Sequence, residues 1–95
     1  MYGTTMIGTL AAGVSADAVR AELKTWEQER TVAGFQSSHA LVSDDGRTVV
    51  NVAVFESKEA YLALADDPAQ DSWWQERFAP LLDGEPRWID GDWVS

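Results

Sequence analysis

Cysteine is absent from this 95-residue chain and histidine occurs once. The first absence excludes disulfides and thiolate metal sites, and a single imidazole is too few for a histidine-based metal site. Basic residues are also scarce. Seven Lys and Arg stand against sixteen Asp and Glu, for a net charge of -9. A field of that sign repels phosphate backbones and anionic headgroups, so neither nucleic acid nor a membrane surface is an expected partner. The imbalance grows along the chain: six acids to four bases through Arg47, then ten acids to three bases from Thr48 onward. No apolar run is long enough to span a bilayer, and no basic stretch followed by an apolar one opens the chain, so a cytoplasmic location is expected. Linkers, repeats and low-complexity segments are lacking too.

What remains reads as one domain over residues 1–95. Hydrophobic residues make up 45% and charged residues 24%, proportions that argue for a globular chain and against disorder. A domain this short buries only about two thirds of the surface its unfolded chain exposes. Its core is thin, and a second copy would add useful burial. Five Trp is a high number, and such rings need a core, an interface or a ligand cleft.

The run Tyr2 to Ala12 has strand composition and Gly13 ends it. Ser15 is a good N-cap for a helix from Ala16 to about Arg30, with Val19, Leu23 and Trp26 on one face. Two strands follow, Phe35 to Ser43 and Arg47 to Phe55, joined by the hairpin signal Asp44-Asp45-Gly46. Ser57 caps a second helix carrying Ala60, Tyr61 and Leu64. Asp66-Asp67-Pro68 interrupts it and caps a continuing helical segment, on which Trp74, Phe78 and Leu81 form a stripe. Gly84 and Pro86 stop that segment, and Trp88 to Val94 is a last strand whose Gly91 suggests a bulge or bend. The order is β-α-β-β-α-β, an α+β, ferredoxin-like arrangement with helices on one face of an antiparallel sheet. The other face then needs cover, most simply from a second subunit.

The run Val50-Asn-Val-Ala-Val-Phe-Glu-Ser-Lys-Glu-Ala-Tyr61, with the later Trp73-Trp74-Gln-Glu-Arg77, resembles the antibiotic-biosynthesis-monooxygenase-like domains of the dimeric α+β barrel superfamily. The resemblance covers nearly the whole chain. It implies a homodimer whose two sheets form a barrel, with a pocket in each subunit between sheet and helices. It implies that the last strand, with Trp88, Asp90, Asp92 and Trp93, helps to close the dimer. The family includes cofactor-independent oxygenases of aromatic polyketides, haem-degrading enzymes and small proteins of unknown role. The haem-degrading branch uses an Asn on the first strand and a Trp and His from the second helical region. This first strand offers Thr4, Thr5 and Thr9, and no His follows Trp74, so haem degradation is not expected.

His39 is the one side chain that titrates near neutrality unaided. By alternation it shares a strand face with Phe35, Ser37 and Leu41. A three-residue hairpin loop puts it opposite Asn51; a loop of Asp45-Gly46 alone puts it opposite Val52, because one residue of register moves every side chain. In the catalytic reading His39 removes a phenolic or enolic proton and Asn51 orients it or the substrate. In the plain alternative His39 is a half-buried strand residue satisfied by a neighbour. Tyr61 and Trp74 suit the wall of an aromatic ligand pocket, although the stripe containing Trp74 also reads as core. Arg77 could hold a ligand anion or make a surface ion pair.

Two functions fit these residues. One is a cofactor-independent monooxygenase of an aromatic polyketide-like or phenolic molecule, in which a substrate carbanion reduces oxygen directly. The other is a non-catalytic small-molecule-binding or accessory dimer. An RNA-recognition role would need a basic, aromatic third strand, which Arg47 to Phe55 does not supply. No cofactor is expected: there is no Gly-rich dinucleotide fingerprint and no metal-ligand cluster.

Overall fold

The computed structural model describes residues 1–95. Four antiparallel strands form one sheet in the order β2-β3-β1-β4, where β1 is Tyr2–Thr9, β2 Phe35–Val42, β3 Thr48–Phe55 and β4 Arg87–Asp92. Helix α1 (Ala16–Glu29) follows β1, and helices α2 (Lys58–Ala65) and α3 (Pro68–Trp73) follow β3. This is the ferredoxin-like α+β arrangement.

Local signals set the helix starts. The Ser15 and Ser57 hydroxyls accept from the amides of Ala18 and Ala60 at 3.3 and 3.1 Å. Asp67 Oδ1 accepts from the amide of Ala69 at 2.9 Å, which leaves Oδ2 to accept from Arg30 at 3.0 Å. That cap therefore also ties the end of α1 to the start of α3. Beyond Trp73 the chain widens into a π-helical turn, Trp74–Phe78, and then tightens into a 3₁₀ turn, Ala79–Leu81. Pro80 explains the change: it has no N–H to donate, and its ring clashes with the carbonyl four residues back in a regular helix.

Strand parity sorts side chains between two faces. Thr4, Met6, Val49, Phe55 and Leu10, which forms an isolated β-bridge with Leu82, point toward the helices and are buried. There Met6, Val49 and Leu10 pack with Val19, Phe78 and Leu82 into the core. Ile7, Val50, Val52 and Val54 point the other way, with the more exposed Leu41 and Ile89, and no part of the chain lies over most of them. Only 11 of 95 residues are buried, which fits the thin core expected of this length.

Three sequence expectations are corrected here. The first strand ends at Thr9 rather than Ala12, because Leu10 and Ala11 change partners and donate to the carbonyls of Arg47 and Leu81 at 2.7 and 2.8 Å. Gly91 makes no bulge; it pairs in register with Gly3. The irregularity lies in β2 instead, where Phe35 pairs with Phe55 but Ser37 pairs with Val54. The extra residue, Gln36, turns Phe35 onto the helix-covered face and separates it from His39 and Leu41.

Candidate functional site

A cavity of about 360 Å³ opens between the sheet and the helices. Its size is that of a small-molecule site. Its wall is a chain of aromatic rings. Tyr61, Phe55, Phe35 and Trp26 follow one another with centroids 5.4, 5.7 and 5.2 Å apart. Trp26 then meets Trp73 at 6.1 Å, Trp73 meets Trp74 at 6.5 Å, and Trp74 meets Trp88 of β4 at 5.1 Å. Four of the five Trp thus line one cavity. The bulge at Gln36 is what brings Phe35 in. The late helical region brings two successive residues, Trp73 and Trp74, to the wall, and Phe78 stacks on Trp74 at 5.1 Å from beneath.

Besides Ser38, Gln70 and Asp71, the polar side chains of the lining residues are of two kinds. The first is a hydroxyl–carboxylate cluster. Asp90 Oδ1 accepts from Thr4 Oγ1 at 2.6 Å and from the Tyr61 hydroxyl at 3.1 Å. Strand register builds it, since Asp90 lies directly across from Thr4 in the β1–β4 pairing. Burial pushes the Tyr61 pKa above its ordinary value, and the nearby Asp90 charge acts in the same direction. Tyr61 is therefore a neutral phenol at neutral pH. The second kind is unpaired. Asn51 Oδ1 and Trp73 Nε1 are both buried and neither has a hydrogen-bond partner in the protein. By contrast, Trp26 Nε1 is satisfied by Gln70 Oε1 at 2.8 Å.

Of the five residues singled out from sequence, Asn51, Tyr61 and Trp74 meet at this cavity. His39 and Arg77 do not line it. His39 lies opposite Val52 and Asn51 lies opposite Ala40, so the pairing of His39 with Asn51 fails by one residue of register. The physical reason is the hairpin. Ser43 N donates to the Thr48 carbonyl at 2.9 Å and Ser43 Oγ accepts from Thr48 N at 3.0 Å, which encloses four residues, Asp44 to Arg47. Asp45 closes the loop from inside by accepting from Ser43 Oγ and from the amide of Arg47, and these bonds hold its carboxyl below the usual range. His39 is exposed on the sheet face that no helix covers. Arg77 pairs with Glu22 of α1, Nε to Oε2 3.3 Å, an ion pair across two helical elements rather than with its sequence neighbours.

Two residues that the sequence did not single out for a pocket also line the cavity: Trp73, and Asp90 of the strand that the resemblance assigns to dimer closure. Asp90 was findable, since it alternates with Trp88 on a terminal strand whose pairing with β1 the fold implies. Trp73 was not, because it stands one residue outside the periodic stripe of Trp74, Phe78 and Leu81.

No family model matches the chain, and no curated protein matches it in sequence. Solved structures match it well in fold. A monooxygenase from Streptomyces coelicolor, the product of ActVA-Orf6 in complex with nanaomycin D, is 24% identical with a TM-score of 0.71, over 94% of this chain and 83% of that one. SnoaB, a cofactor-independent oxygenase from Streptomyces nogalater, is 18% identical with a TM-score of 0.69, over 93% and 90%. A hydroxynitrile lyase from Passiflora edulis is 10% identical with a TM-score of 0.70, over 99% and 95%. The chain has the fold of the antibiotic-biosynthesis-monooxygenase-like domains, and that fold serves more than one reaction.

Proposed function

We propose that this chain is a cofactor-independent monooxygenase, working as a cytoplasmic homodimer on a planar aromatic polyketide-like or phenolic molecule. The observation that carries this reading is the cavity of about 360 Å³ whose wall is a chain of aromatic rings, with the side chains of Asn51 and Tyr61 among its few polar groups. A flat guest would lay its rings against the Trp and Phe wall. Tyr61 donates to Asp90 and so presents its oxygen lone pairs to a guest hydroxyl.

The chemistry needs little from the protein. A methylene flanked by aromatic or carbonyl groups loses a proton, which leaves to water at the open side of the cavity. The resulting carbanion passes one electron to O2, the radical pair closes a C–O bond, and the hydroperoxide so formed loses water to leave a carbonyl. One oxygen atom ends in the product and one in water. The two C–H bonds of the methylene supply all four electrons. The pocket contributes by orienting the flat substrate against its aromatic wall and by keeping most water from the reacting carbon.

The dimer rests on the uncovered valine-rich sheet face, whose Leu41 and Ile89 are 60% and 48% exposed in one chain. Oxygen uptake with a panel of anthrones and related phenols tests the activity. The expected result is conversion to the quinone without added metal or flavin, slowed at least about tenfold in Asn51→Ala. One observation favours a second reading, a non-catalytic binding dimer: no His or Lys, the usual neutral-pH bases, lines the cavity. Tight binding of the panel without oxygen uptake would select it.

A further inference from the structure

Charge divides the cavity from the rest of the molecule in a way that names its guest more closely. The wall holds two carboxylates, Asp71 and Asp90, and no Lys, Arg or His. Neither carboxylate has a cationic partner: the three ion pairs of the chain join Arg20 to Asp17, Arg30 to Asp67 and Arg77 to Glu22. Asp90 takes both of its protein hydrogen bonds on Oδ1, so Oδ2 accepts none. Beside these carboxylates stand four Trp rings, whose electron-rich faces attract cations more strongly than those of Phe or Tyr. The scarcity of bases in the chain does not explain the pattern. A second groove, between α1 and β2, is flanked by Arg20 and Lys24, so basic residues are present where that wall has them.

We infer that the cavity selects an aromatic molecule carrying a positive charge, such as a protonated amine, and rejects the matching carboxylate. The inference rests on the reading of this cavity as the substrate site and adds the charge of the substrate to it. An ammonium group reaching Asp90 Oδ2 would balance a carboxylate that otherwise faces the substrate anion formed during turnover. An anionic guest would meet two unpaired acids and the field of a chain of net charge -9.

Three anthracenes that differ in one substituent test this by titration calorimetry at low salt: 9-aminomethylanthracene as the cation, 9-hydroxymethylanthracene as the neutral guest and anthracene-9-carboxylate as the anion. The expected order is cation, neutral, anion, with at least about a tenfold difference in Kd between the first and last. Asp90→Asn keeps an acceptor for Thr4 and Tyr61 while removing the charge, and it should narrow that ratio severalfold. Asp44→Asn, in the distant hairpin, removes the same net charge and should leave the ratio in place. Equal Kd values for cation and anion overturn the inference, as does an equal loss of preference in both variants, which would assign it to net charge alone. In either case binding of the neutral anthracene leaves the cavity standing as the aromatic site. Failure of all three to bind overturns the inference together with the reading of the site.

Discussion

The two faces of the sheet are written into the same strands one residue apart, and they differ in kind. On β3 the residues facing the helices are Val49, Asn51, Ala53 and Phe55; those facing away are Val50, Val52 and Val54. The first set mixes sizes and polarity, and it borders a cavity with unpaired polar atoms. The second is uniform and β-branched, suited to packing against another flat surface. Variety suits the face proposed to recognise a small molecule, and monotony suits the face proposed to associate.

The largest test of this contrast is Phe78→Ala. Phe78 is 1% exposed, belongs to the core and supports Trp74 from beneath. Its loss should cost about 3–5 kcal/mol of stability in a chemical denaturation experiment and abolish aromatic binding. A cost below about 1 kcal/mol would mean that the covered face has little packed core behind the cavity. On the open face the matching change is Val50→Asp, placed between Leu41 and Ile7. In the proposed dimer a carboxylate there would be buried and unpaired, and it should weaken association at least about a hundredfold by sedimentation. An unchanged assembly would show that the face is not the interface.

Gly3→Ala probes a closer contact. Gly3 lies under the Trp93 indole, which donates to the Ala53 carbonyl at 3.3 Å, and a Cβ at Gly3 would overlap both the indole nitrogen and that oxygen. About 1–3 kcal/mol of destabilisation is expected from thermal or denaturant unfolding. The same contact shows that Trp93 gains cover from its own chain. A smaller effect belongs to Tyr61. Its pKa is raised in the folded chain, so its contribution is fully present below about pH 10, the unfolded value, and is lost as pH rises through the folded value. Stability measured from pH 8 to 12 should therefore fall more steeply in the natural chain than in Tyr61→Phe. Parallel profiles would remove Tyr61 from the hydroxyl–carboxylate cluster.

What the sequence disclosed was local. Ser15, Ser57 and Asp67-Pro68 start helices because a cap depends on a few neighbouring residues. The β-α-β-β-α-β order followed from such signals, and with it the covered and uncovered faces. Tyr61 and Trp74 were readable as pocket-wall residues from their rings and hydroxyl, whereas Asn51 was named only as a partner of His39, and it lines the cavity without that partner. What stayed hidden depended on single-residue choices made by distant contacts. The four-residue hairpin enclosed by Ser43 and Thr48 set the register of β2. The bulge at Gln36 delivered Phe35 to the cavity. Glu22 took Arg77 from 55 residues away. Composition and periodicity carry no record of any of these.

The smallest expected effect is at His39, and it bears most directly on which face does the work. Supply argued for this residue as a base, because no other side chain titrates near neutrality unaided. Position argues otherwise. His39 lies opposite Val52, on the face of Val50 and Val54, and the sheet itself separates it from Asn51, Tyr61 and Trp73. A proton held there has no path to a guest between sheet and helices except around the sheet edge. His39→Ala should therefore leave aromatic binding and any oxygen uptake within about twofold, and stability within about 0.5 kcal/mol, as for a surface substitution away from special features. The pH dependence of turnover should likewise be the same in the variant as in the natural chain. A loss of turnover beyond about tenfold, with binding of the neutral anthracene intact, would reverse the assignment. The reacting atoms would then lie on the valine face, inside whatever the second copy encloses, and the aromatic cavity would be a binding site without chemistry.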